Sequence, residues 1–121
     1  MGTNRDLKRF LENNAGGGGT RTLKNTVYEF IECKEEEEDT NTAHLYSLTM
    51  EEMMAIIGDI EMNHLDRVKY ITVVSQIRKN SKNEEDILNV NMAILNEFVD
   101  WAFEEGYIEC DLAYTYKLCC N

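Results

Sequence analysis

The chain has 121 residues, of which 43% are hydrophobic and 29% charged, and it contains no proline. This length predicts one domain with one sizeable core, and no apolar run approaches the ~18–20 residues that cross a bilayer. The first 15 residues are polar and charged, so no signal peptide is expected and we predict a cytoplasmic protein. Because proline breaks helix interiors, its absence favours helices, and we predict a single compact all-α bundle of about five or six helices.

The net charge of −11 is distributed unevenly along the chain. Residues 1–25 contain five basic and two acidic residues, whereas the rest of the chain contains seven basic and 21 acidic ones. An acidic body is repelled by phosphate backbones, since affinity for nucleic acids rests largely on contacts between cations and phosphates. Direct DNA binding is therefore disfavoured, and a basic partner protein is the expected ligand.

Residues 4–14 predict a short first helix, in which Leu7 begins a stripe of apolar residues at i, i+3 and i+4. The four glycines at 16–19 end this helix, because consecutive glycines lose too much backbone entropy inside one. They also lack the spacing and the following residues of a phosphate-binding loop. We therefore divide the chain into a helical arm with a glycine hinge, residues 1–19, and a helical domain, residues 20–121. We expect the arm to dock on the acidic body.

The second helix is expected to begin after Thr20 or Thr22, whose hydroxyls are suitable N-caps. It should fray by about Glu36, where an acidic run at 34–39 begins to dominate. Like charges repel one another within a helix, and helix C-termini disfavour anions. The run therefore predicts a solvated loop, or alternatively an acidic patch that engages a basic partner.

A capping box formed by Thr49 and Glu52 predicts the start of the third helix, since each side chain satisfies a free backbone N–H of the other residue. Gly58 is a plausible end of this helix. The fourth helix is predicted over residues 63–80 with Asn63 as its cap. The residues that can face inward are Leu65, Val68, Ile71 and/or Thr72, Val74 and Ile77.

The β-branched residues at 70–74 leave a strand open as an alternative within this fourth segment. The fifth helix is predicted from a cap at Asn83 to a stop at Gly106. Trp101 lies on its continuous apolar face, so we expect its truncation to be the most damaging in the chain. A last helix is predicted from Asp111 onward.

No catalytic constellation is present in the sequence, so we predict a protein that is not an enzyme and needs no cofactor. Glu61 and His64 have the three-residue step of a helical di-iron motif, but such a site needs a second motif and further glutamates. No metal site is therefore predicted.

The four cysteines show no C-x-x-C spacing, so neither a zinc site nor a redox motif is predicted. Disulfides are rare in a reducing cytoplasm. We expect free thiols, with a thiol switch at Cys119 and Cys120 as the alternative.

Residues 91–109, NMAILNEFVDWAFEEGYIE, contain a Phe-x-x-Trp-Ala step followed by glycine and an apolar-Ile turn. This pattern resembles the last helix and exit of the SAM-like core-binding domain of phage and transposon tyrosine recombinases. The segment 48–58 resembles the apolar-Thr-x-Glu helix start that precedes it in that family. The resemblance implies a helical bundle from a phage or mobile element.

Two departures from the family pattern change what the resemblance implies. The family commonly has Asn-Pro where this chain has Cys110 and Asp111, and its domain is usually basic because it clamps DNA, whereas this chain is acidic. The catalytic domain of the family is absent from this chain, which excludes recombinase activity for the chain alone.

We therefore predict a non-catalytic interaction protein that regulates or inhibits a nucleic-acid-handling partner through an acidic surface. The candidate contacts are Glu35, Glu36, Glu37, Glu38, Asp39, Glu104, Glu105, Glu109 and Asp111. The alternative is a DNA-binding domain of recombinase type. Its phosphate contacts would be Arg5, Lys8, Arg9, Arg21, Lys24, Arg78, Lys79 and Lys82.

Overall fold

The computed structural model describes residues 21–82 and 84–113, and this part of the chain forms a bundle of four α-helices. The helices are α1 (Leu23–Glu37), α2 (Thr40–Ile57), α3 (Arg67–Ser81) and α4 (Glu85–Glu104), with a 3₁₀ turn, Met62–His64, between α2 and α3. The all-α class is confirmed, with fewer helices described than the five or six predicted.

Two of the predicted helices account for the difference in number. The first, at 4–14, lies outside the described residues with the rest of the 1–19 arm. The last, predicted from Asp111 onward, lies outside them beyond Ala113. Within the described residues there is no β-strand, and the one bridge joins Thr22 and Glu61 on either side of the α1–α2 pair. The alternative of a strand at 70–74 is wrong, because these residues lie inside α3.

Helix α1 begins and ends close to where its sequence signals place it. The Thr22 hydroxyl accepts a hydrogen bond from the Asn25 N–H at 3.2 Å, which satisfies one of the free donors of the first turn. The helix ends at Glu37, one residue beyond the predicted end.

The predicted start of the third helix at Thr49 is wrong, because the N-cap of α2 lies ten residues earlier. Asp39 is its N-cap, and its carboxylate accepts a hydrogen bond from the Thr42 N–H at 2.7 Å. Thr49 is buried in the middle of the helix, where its hydroxyl lies 3.1 Å from the Leu45 carbonyl oxygen. A capping box needs free N–H groups, and inside a continuous helix they are already bonded. Gly58 follows the last residue of α2 with φ 80°, as predicted for a C-terminal stop.

The acidic run at 34–39 is not the solvated loop that its charge predicts, although its side chains from Glu35 onward are exposed. Residues 34–37 form the last turn of α1, and Glu38 and Asp39 make the whole connection to α2. Lys34 offsets part of the repulsion, because its Nζ lies 3.2 Å from a Glu37 oxygen and forms a second ion pair with Glu97.

The cap of helix α3 lies three residues later than predicted, and the face that the helix turns to the core differs in part: Val74 and Ile77 are buried as predicted. Asp66, and not Asn63, caps it by accepting the Lys69 N–H at 3.0 Å. Val68 and Ile71 were expected to face inward, but they are 72% and 40% exposed. The buried side chains of α3 are Tyr70, Val73, Val74, Ile77 and Ser81.

Helix α4 ends in a hydrogen-bond pattern that explains the glycine after it. The Tyr107 N–H donates to the Ala102 oxygen at 2.8 Å, and the Gly106 N–H donates to the Phe103 oxygen at 3.1 Å. This Schellman arrangement requires a positive φ, and Gly106 has φ 82°. Asn83, the predicted cap, lies outside the described residues.

The core is centred on an aromatic cluster contributed by α1, α2 and α4. The Phe30 ring centroid lies 5.2 Å from that of Phe98, 5.3 Å from that of Trp101 and 5.8 Å from that of Tyr46. Phe30 and Phe98 are fully buried, whereas Trp101 is only partly buried against the cluster. Trp101 therefore lies on the apolar face of its helix, as predicted, but at the edge of the cluster, and Phe30 is the ring that contacts Tyr46, Phe98 and Trp101.

Candidate functional site

A groove lies between α1 and α2 on the surface of the described residues. One end has a volume of about 280 Å³ and the other about 330 Å³, and the two ends share Glu35 and Ser47. The floor is apolar and includes Val27, Ile31 and Met54. Below, the name α1–α2 groove refers to these residues and to the others that line it: Tyr28, Glu32, Thr40, Ala43, His44 and Glu51.

Carboxylates stand on both walls of the α1–α2 groove. Glu32 and Glu35 belong to α1 and Glu51 belongs to α2, and all three side chains are exposed. Their positions follow from helix geometry, because residues three or four apart lie on the same face of a helix. The structure therefore combines an apolar floor with negatively charged edges.

The cations of this region point elsewhere. Helix α2 contains neither lysine nor arginine, and among the described residues none of either type lines the groove. Lys34 of α1 forms its ion pairs with Glu37 and Glu97, on the side of α1 that meets α4. Lys24 is the nearest exception, with its Nζ 5.8 Å from the ring centroid of Tyr28.

A network of three polar side chains connects α1, α2 and α4 beside the aromatic cluster. The Tyr46 hydroxyl donates to a Glu97 oxygen at 2.6 Å, and Lys34 pairs with the other oxygen of Glu97. Burial and the bond to Glu97 raise the pKa of Tyr46 to about 12. Burial alone would lower the pKa of Lys34, but hydrogen bonds to Glu97 and Glu37 outweigh it and raise the pKa. The network holds Lys34 away from the groove.

A second network lies nearer the start of α1, where both oxygens of the buried Glu29 carboxylate have hydrogen-bond partners. Glu29 receives a hydrogen bond from the Tyr107 hydroxyl at 2.7 Å and lies 3.3 Å from a nitrogen of Arg21. The Arg21 guanidinium is stacked 3.8 Å from the centroid of the Tyr107 ring. Burial and the bond to Glu29 raise the pKa of the Tyr107 hydroxyl. This arrangement joins the start of α1 to the exit of α4.

The structure divides the predicted acidic contacts into two groups. The first, residues 35–39, forms an exposed ridge at the end of α1 and the start of α2. The second begins at the last residue of α4 and continues past Tyr107, whose hydroxyl donates to Glu29 in the first half of α1. In that group Glu105 is half-buried, and the exposed members are Glu104, Glu109 and Asp111.

The cations of the DNA-binding alternative are also separated. Arg78, Lys79 and Lys82 are exposed together at the end of α3. Arg21 is occupied by Glu29 and Tyr107, and Lys24 lies at the start of α1. The three cations of the arm, Arg5, Lys8 and Arg9, lie outside the described residues.

Within residues 21–82 and 84–113 no group of three or more His, Cys, Asp or Glu side chains is arranged to hold a metal ion. Glu61 and His64 do approach each other, with 3.6 Å between Oε2 and Nε2. Cys33 and Cys110 are thiols, the first half-buried and the second exposed, and Cys119 and Cys120 lie outside the described residues. None of the described helices has the length and apolarity needed to cross a membrane.

The groove residues that sequence reasoning left out of the predicted site include Tyr28, Glu32 and Glu51. The signal for the first two was available, because Tyr28, Glu32 and Glu35 follow one another at steps of four and three on one face of α1. Glu51 was assigned to a helix start, and only the correct register of α2 places it on the opposite wall.

Comparison with known proteins identifies no relative: no family model, no curated protein and no solved structure matches this chain.

Proposed function

We propose that this chain is a non-catalytic interaction protein that binds a basic, nucleic-acid-handling partner and regulates or inhibits it. The observation that carries the proposal is the acidic α1–α2 side of the bundle. Residues 35–39 form an exposed ridge beside Glu32 and Glu51, and the whole of α2 lacks lysine and arginine. A negatively charged surface speeds association with a positively charged partner and disfavours binding of phosphate backbones.

The proposed origin in a phage or another mobile element rests on the recombinase-like pattern of residues 91–109. In a recombinase the core-binding domain clamps DNA. An acidic bundle of similar pattern would instead bind the protein that handles the DNA and thereby compete with the nucleic acid. Inhibition is the simplest consequence of such competition.

The decisive experiment compares capture by three forms of the immobilised full-length chain from a nuclease-treated bacterial lysate. The ridge variant carries Glu35→Gln, Glu36→Gln and Glu38→Gln, and it keeps Glu37 as partner of Lys34 and Asp39 as helix cap. The matched control removes three exposed negative charges at the start of α4: Glu84→Gln, Glu85→Gln and Asp86→Asn.

We expect basic nucleic-acid-binding proteins to be captured by the wild type and the control and to be lost with the ridge variant. Capture of no basic protein, or equal capture by all three forms, would contradict the proposal. A labelled DNA duplex tests the alternative function. Binding of DNA at ~0.1 M salt, with log affinity falling by about 0.9 per phosphate contact for each tenfold rise in salt, would favour a DNA-binding domain using the Arg78–Lys82 cluster.

A further inference from the structure

We infer that the α1–α2 groove binds a basic amphipathic helix of the partner protein. This inference rests on the proposed function and names the surface and the chemistry of its ligand. The helix would place apolar side chains on Tyr28, Ile31 and Met54 and basic side chains against Glu32 and Glu51.

The apolar floor supplies the first argument, because it is open and only partly covered. Val27 is buried, but Ile31 and Met54 are half-buried at the bottom of the groove, and Tyr28 forms an edge with 55% of its surface exposed. Methionine and tyrosine are suited to binding surfaces, since the first adapts its shape and the second combines an apolar ring with a polar tip.

The dimensions supply the second argument. Along α2 the groove extends from Thr40 to Met54, and at ~1.5 Å of rise per residue this is about 21 Å. A ligand helix of about 14 residues, or four turns, matches this length. Its anchors would recur at i, i+3 or i+4 and i+7, as in other complexes in which a helix fills an apolar groove.

Charge selects among the possible occupants. Glu32, Glu35 and Glu51 line the groove, and among the described residues that line it His44 is the one side chain that can carry a positive charge. A phosphate backbone or an acidic peptide would meet carboxylates on both walls. A second copy of the chain carries the same net charge of −11 and is repelled. A basic helix neutralises the walls and covers the floor in one step.

The test uses a fluorescent peptide of about 14 residues, made of Leu and Lys with Leu on one helical face, and a scrambled peptide of the same composition. Both are titrated at low salt with the full-length chain and with the variant Glu32→Gln/Glu51→Gln. The control Glu85→Gln/Asp86→Asn loses the same charge on α4. All four substituted side chains are exposed, so the fold is kept, and the melting temperature of each form checks this.

We expect the groove variant to bind the amphipathic peptide about tenfold more weakly, which is ~1.4 kcal/mol shared between two ion pairs. The control and the wild type should bind alike, and the scrambled peptide should bind weakly to both. Backbone amide shifts on peptide addition should concentrate in residues 27–35 and 43–54.

Four outcomes of the peptide experiment would overturn the inference: no binding at low salt, equal weakening in the control, equal affinity for the scrambled peptide, or amide shifts concentrated elsewhere. Binding that appears only after deletion of residues 1–19 would assign the groove to that segment and would likewise overturn an external ligand. If wild type and groove variant capture a basic partner from lysate equally well, the groove is not the binding site, but the proposed function is retained. Failure to capture any basic protein would overturn the function itself.

Discussion

At the scale of single residues, Phe30 of α1 is the side chain that joins the aromatic cluster of α1, α2 and α4. It is fully buried, and its ring lies within 5.8 Å, centroid to centroid, of Tyr46, Phe98 and Trp101. Removing it would open a cavity where three helices meet, so we expect Phe30→Ala to cost ~3–5 kcal/mol of unfolding free energy. That loss is a large part of the ~5–15 kcal/mol that a domain of this size has.

Trp101→Ala should cost less than Phe30→Ala, although tryptophan is the larger side chain. Trp101 is partly exposed, and its buried indole N–H has no hydrogen-bond partner among the described residues, so truncation leaves no acceptor unpaired. Urea unfolding of the two alanine variants gives the order of their losses in unfolding free energy. Phe30→Leu is measured as well, because it is milder and replaces Phe30→Ala if that variant does not fold. A larger loss of unfolding free energy for Trp101→Ala than for Phe30→Ala would show that Trp101 contributes more to the stability of the core.

At the scale of elements, two helices begin at aspartate caps whose charge matters for stability. Hydrogen bonds from the Thr42 N–H to Asp39 and from the Lys69 N–H to Asp66 hold the pKa of each carboxyl below its usual value of 3.8. The stabilisation is therefore complete above that usual pKa and is lost as the pH falls through the lower value of the folded state.

The double variant Asp39→Asn/Asp66→Asn should consequently lose less stability on acidification than the wild type. Asparagine caps a helix about as well as aspartate, but its side chain does not titrate. Melting temperatures measured from pH 7 downward provide the comparison. The two curves should lie close together at pH 7 and separate as the pH falls below about 4, with the wild type falling further. Parallel curves would show that these two carboxylates do not contribute to the acid side of the profile.

The accuracy of the predicted helices depended on whether local and tertiary signals agreed. In α1 and at the end of α4 the cap residues and the apolar spacing agree, and both were predicted to within a residue or two. Thr49 looks like a cap only in isolation, because its hydroxyl is 3.0 Å from Asn91 of α4 and belongs to the core of the bundle. In α3, Asn63 and Asp66 both have capping side chains, and only the 3₁₀ turn before Asp66 decides between them.

The sequence predicts the negative charge of the candidate site but not its shape. The acidic run at 34–39 is visible in the sequence, whereas the α1–α2 groove joins residues that are far apart along the chain. Glu32 and Glu51 stand on facing walls because Glu38 and Asp39 make a tight connection between α1 and α2. A loop over 34–39 and a helix starting at Thr49, as predicted, would not have formed these walls.

At the scale of the whole molecule, the net charge of −11 acts on folding and on binding in opposite directions. Like charges concentrated on a compact body repel one another and destabilise it. Salt screens this repulsion, since the Debye length falls from ~30 Å at ~0.01 M to ~8 Å at ~0.15 M. Binding of a cationic ligand depends on the same charges, but there the interaction that salt screens is favourable.

We therefore expect NaCl added over this range to raise the melting temperature and, at the same time, to weaken binding of the basic peptide. The ridge variant Glu35→Gln/Glu36→Gln/Glu38→Gln should melt at a higher temperature than the wild type at low salt and respond less to NaCl, because three of the repelling charges are gone. The pair of Lys34 and Glu97 is partly buried and is screened less, so its contribution should persist in both forms. A wild-type melting temperature that stays constant or falls with NaCl would contradict this account. It would show that repulsion among the acidic side chains does not destabilise the folded state.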